Sequence, residues 1–156
     1  MSQVYMAHVV IAGDAQAIRR FDEALEKADA TAEAESFERN VLAQDAEGQA
    51  VAAHYRATTS RSQPAIWHAA SFAEVARLQA VVLSLLYEEQ GCGSVFVELG
   101  EKPLFQNQDI YGFSPEGQDQ VRLAQRCFTK IAEAQFGLDV VLDLTGDTKA
   151  PSDNTD

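Results

Sequence analysis

The stretch Ser71–Gly91, SFAEVARLQAVVLSLLYEEQG, decides how the rest of this chain is read. Ser71 and Glu74 have the spacing at which an N-cap hydroxyl and an N3 carboxylate satisfy each other's backbone N–H groups. Gly91 is the residue type that closes a helix in the left-handed conformation. Between them the polar positions Glu74, Arg77, Gln79, Ser84 and Glu88 make only a narrow stripe. The segment therefore predicts a helix over about 71–90. Being apolar on more than one side, it should be covered by a sheet and also by a second helix or another subunit.

Upstream, Val4 to Ile11 is β-rich and almost wholly apolar, as in a strand buried on both faces. After Gly13 and Asp14, Ile18, Phe21, Leu25 and Ala28 recur at helical spacing, with Arg19, Arg20, Glu23 and Glu26 outside. Phe37–Gln44 and Ala50–Thr59 read as a hairpin closed by Asp45-Ala46-Glu47-Gly48. Downstream, Ser94–Leu99 alternates as a strand, and Gly100–Phe113 reads as a long loop with its own hydrophobes. Ser114-Pro115 opens a helix with Val121, Ala124, Phe128 and Ile131 inward, and Gly137 ends it. Leu138–Leu144 reads as a last strand. This order, βαββαβ followed by αβ, predicts an α+β fold: a ferredoxin-like βαββαβ core with an additional C-terminal helix and strand. Residues 1–145 are expected to form a single α+β domain, and 146–156 a disordered acidic tail.

The chain has 156 residues and a net charge of −12. That charge disfavours direct contact with nucleic acid or an anionic membrane, and allows a protein partner with a basic surface. No apolar run is long enough to span a bilayer. Cys92 and Cys127 form no CxxC pair, and no signal peptide is visible, so the expected compartment is cytoplasmic. No cofactor or metal motif appears: HExxH, a phosphate-binding glycine loop and a nucleophile elbow are all missing. Asp139 and Asp143 share a strand face in this reading, which fits a solvent face better than a cation site.

The acids are unevenly spread. Gly48 to Ala73 contains none, where 24 acids in 156 residues would place about four. The same window holds His54, Arg56, Arg61, Trp67 and His68. His54 and Arg56 alternate on one strand face, and Trp67 and His68 precede the expected helix start. An arginine fork, imidazoles and an indole would suit a phosphate, a nucleotide or a carboxylate. His8, inside the first strand, reads as a satisfied core histidine. A second expectation is an interaction surface at Phe105, Tyr111 and Phe113, or along the acidic hairpin and its flanks with Glu33, Glu35, Glu38, Asp45 and Glu47. With no catalytic motif, the favoured reading is a non-enzymatic adapter or inhibitor-type protein-binding module. The alternative is a small-anion binding protein or enzyme using residues 48–73. The greasy predicted helix also allows a homodimer.

Overall fold

β1 (Tyr5–Ala12) sits at the centre of the fold because nothing in it resists burial. YMAHVVIA has no Asp, Glu, Lys or Arg, and every residue from Ala7 to Ala12 is buried. The computed structural model describes residues 4–31, 37–59, 66–67, 79–88, 91–111 and 114–147. Among these, β1 pairs antiparallel with β3 (Ala50–Thr59) on one side and β4 (Val81–Glu88) on the other. β2 (Phe37–Gln44) lies outside β3, and β5 (Cys92–Leu99) and β6 (Lys102–Tyr111) continue beyond β4. The six described strands form one antiparallel sheet in the order β2-β3-β1-β4-β5-β6.

Helices cover opposite faces of this sheet. α1 (Ala15–Thr31) starts where Asp14 Oδ1 accepts the Ala17 N–H at 2.8 Å, the expected N-terminal cap. Its Ile18, Phe21 and Leu25 pack with Val9, Ile11, Ala53 and Tyr55. α2 (Pro115–Phe136) is capped by Ser114, whose Oγ accepts the Gly117 N–H at 3.1 Å. Gly137, at φ 66°, ends it, with its N–H on Glu133 O and the Leu138 N–H on Ala132 O. Val121, Ala124 and Phe128 pack with Leu83, Leu85, Val95 and Val97, on the face opposite α1. An irregular stretch then leads to the short helix α3 (Leu144–Asp147), and Val140 and Leu144 join the α2-side core.

The hairpin of β2 and β3 occupies the residues expected of it, with Asp45 Oδ1 accepting from the Glu47 and Gln49 N–H groups at the turn. Three other elements differ, and together they overturn the ferredoxin-like core with one added helix and strand. First, the segment expected as the second helix contains β4. Residues 71–78 lie outside the described residues, but Val81–Glu88 is a strand between β1 and β5. A run buried on both faces shows no alternation, so period alone does not separate it from a buried helix. Second, the long loop expected at Gly100–Phe113 is largely β6. Pro103 is tolerated there because β6 is an edge strand. Third, the expected strand Leu138–Leu144 has no strand partner among the described residues: Val140 is buried and Val141 is 84% exposed, but the chain enters α3 at Leu144 instead of the sheet. Of the tail, Gly146 and Asp147 end α3 and 148–156 lie outside the described residues.

Candidate functional site

On the α2 side of the sheet, β3 presents His54, Arg56 and Thr58, and the register sets His8 of β1 beside Arg56. His8 Nδ1 and His54 Nε2 are 3.0 Å apart in a buried hydrogen bond. The two rings stack at 5.2 Å, and Tyr87 of β4 stacks on His8 at 6.4 Å. Burial, then the neighbouring His54 and Arg56, push the His8 pKa down to about 3. His8 is thus neutral at pH 7 and can donate from only one ring nitrogen. Its Nε2 is buried without a hydrogen-bond partner among the described residues. Arg56 is half-buried, and its Nη2 donates to Glu38 Oε2 on β2 at 3.2 Å in an exposed ion pair.

The other residues of the acid-free window are placed elsewhere. Trp67 packs its ring 6.0 Å from Phe96. Phe96 pairs with Ser84, and Ser84 with Val9, so these lie on the α1 face of the sheet. The sheet therefore stands between Trp67 and the pair His54 and Arg56. Arg61 and His68 lie outside the described residues. Of the aromatic trio, Phe105 is half-buried in β6 against the α2-side core. Tyr111 ends β6, and Phe113 lies outside the described residues.

A second cluster, not singled out in the sequence, joins α1 to the hairpin. Tyr55 is fully buried and its hydroxyl donates to Asp22 Oδ1. Arg39 of β2 grips the same carboxylate, Nε to Oδ1 at 3.3 Å and Nη2 to Oδ2 at 3.1 Å, and its guanidinium lies 5.7 Å from the Tyr55 ring centroid. Burial and the bond to Asp22 raise the Tyr55 pKa, so the phenol keeps its proton. The hairpin register would have disclosed part of this cluster, since Arg39 faces Tyr55 directly. Beside it, Asp22, Leu25, Glu26, Phe37 and Arg39 line an open cleft of about 350 Å³.

β2 forms one wall of that cleft and one margin of the sheet. All five residues from Phe37 to Val41 are exposed, and Phe37 and Val41 are among the large hydrophobics left open to solvent. Both lie on the α1 face, since they pair with Ala57 and Ala53. Among the described residues no group of three or more His, Cys, Asp or Glu could hold a metal ion. No helix among them is long and apolar enough to cross a membrane. Compared with known proteins, the chain matches no family model, no curated sequence and no solved structure.

Proposed function

We propose that this chain is a protein-binding module of adapter or inhibitor type, and that it takes up an extended segment of its partner along the edge of β2 that no other described strand occupies. The observation that carries this reading is the run of five exposed residues on an edge strand, with Phe37 and Val41 on one side of it. An edge strand directs alternate N–H and C=O groups outward, and these form ladder hydrogen bonds with any extended chain of matching register. Proteins usually blunt such edges with proline, lysine or a bulge. β6, the opposite edge, has Lys102 and Pro103. β2 has no proline or lysine, its charges Glu38 and Arg39 are paired with Arg56 and Asp22 within the chain, and its register shift begins only after Val41. The free state of Cys92 and Cys127 fits a reducing, cytoplasmic setting. In the small-anion alternative, Glu38, paired with Arg56 Nη2, would set a like charge beside any anion bound by that guanidinium.

Selection of a random twelve-residue peptide library displayed on phage against the full chain tests this reading. Enriched peptides should bind the wild type and lose most of their affinity for a Phe37→Ala, Val41→Ser double variant, whose thermal melting checks that the fold is intact, since the Phe37 ring also lies 6.4 Å from that of Tyr55. A library with no enriched peptide, or peptides indifferent to the double variant, would contradict it.

A further inference from the structure

The cleft beside β2 has a chemical bias. Asp22, Leu25 and Glu26 stand three and four apart on α1 and so share one helix face. Phe37 and Arg39 stand two apart on β2 and so share one strand face. The two faces meet at the cleft of about 350 Å³. Its two carboxylates are not equivalent. Asp22 is already paired with Arg39 and accepts a hydrogen bond from the Tyr55 hydroxyl. Glu26 is exposed and has no cationic partner among the described residues. The floor between Glu26 and β2 is apolar, formed by Leu25 and the exposed Phe37 ring.

Building on the edge-strand reading, we infer that the partner segment carries an arginine or lysine that lies between Leu25 and Phe37 and pairs with Glu26. Such a side chain has an apolar shaft for the floor and a cationic head for the carboxylate. An arginine would also stack its guanidinium on the Phe37 ring. The protein's net charge of −12 draws a basic segment toward it from a distance. The strand geometry sets a spacing as well. Phe37 and Val41 lie four residues apart on one face, roughly 13 Å along the strand. The partner's cation, seated at Phe37, therefore stands four residues from an apolar side chain seated at Val41, both on the same face of the added strand.

The peptides selected above provide the probe. They should share a lysine or arginine four residues from a Val, Ile, Leu or Phe. For a synthetic peptide of that kind, Glu26→Gln in the full chain, or methionine in place of the peptide cation, should weaken binding roughly five- to tenfold. The two changes together should cost no more than either alone, and the wild-type affinity should fall as salt is raised. N-methylation of one alternate set of peptide residues should abolish binding while the other set is tolerated, because only one set faces β2. If N-methylation shows that alternation but the peptides have no cation, or ignore Glu26→Gln, the cation site is wrong and the edge reading stands. If neither N-methyl set matters, or if β2 proves already occupied by a second copy of the chain in solution, both fail. Thermal melting of Glu26→Gln, an exposed helical position, confirms that the fold is intact.

Discussion

His8 is held uncharged at a depth where charge is costly, and that has a consequence for stability. Its folded pKa of about 3 lies below the 6.5 of an unconstrained imidazole. Below pH 6.5 the unfolded chain takes a proton that folded His8 refuses, so the contribution of this group is complete above pH 6.5 and is lost as pH falls toward 3. Between pH 7 and pH 5 the wild type should lose on the order of 2 kcal/mol more stability than His8→Leu. Urea unfolding at the two pH values measures this, and parallel pH dependence in both proteins would refute it. The Tyr55 hydroxyl gives a second test. Tyr55→Phe removes a bond to a carboxylate that stays half-exposed and gripped by Arg39, so the expected loss is about 1 kcal/mol. In an Asp22→Asn background the same change should cost less, and an undiminished cost would show that the pair is not coupled. At this scale the sequence was partly legible. His8 is marked as a core histidine by the apolar strand around it, but not as one whose Nε2 goes without a hydrogen-bond partner among the described residues. Its partner was not foreseen, because the β1–β3 pairing that joins His8 to His54 is a contact between distant parts of the chain.

Elements were legible where local chemistry marks their ends. Asp14, Ser114-Pro115 and Gly137 act as the caps their types imply, and the Asp45–Gly48 turn closes the hairpin. β4 and β6 were not, for opposite reasons. β4 is covered on both faces and lacks the alternation that betrays a strand. β6 is an edge strand whose Pro103 and amide side chains resemble a loop, and a register shift at Leu104 puts Leu104 and Phe105 both toward the α2-side core. The strand assignment of 81–99 makes a sharp prediction at Gly93. A Cβ added there would stand 2.5 Å from Tyr87 Cβ and 2.6 Å from the Leu86 carbonyl oxygen of the adjacent strand. Backbone cannot yield as a side-chain tip can, so Gly93→Ala should cost about 1–3 kcal/mol and lower the melting temperature. Were 81–90 a helix, the same change would be nearly silent.

Over the whole molecule the charge and the topology point the same way. An acidic protein repels other acidic surfaces, itself included, which limits pairing between copies at an open strand edge. It also selects basic partners, and the Glu26 carboxylate beside β2 offers such a partner one specific seat. The acid-free window is visible in the sequence because composition can be counted along a chain. The fold then divides that window between the two faces of the sheet and commits Arg56 to Glu38. The open edge of β2 was invisible in composition, since it depends on which strand ends the sheet. Backbone amide NMR spectra recorded during titration with a selected peptide test this central claim most directly. Shifts confined to 37–41 of β2 and 22–26 of α1, with new exchange protection of the outward β2 amides, are the predicted result. Shifts centred on His54, Arg56 and Thr58 of β3, with β2 unchanged, would contradict it.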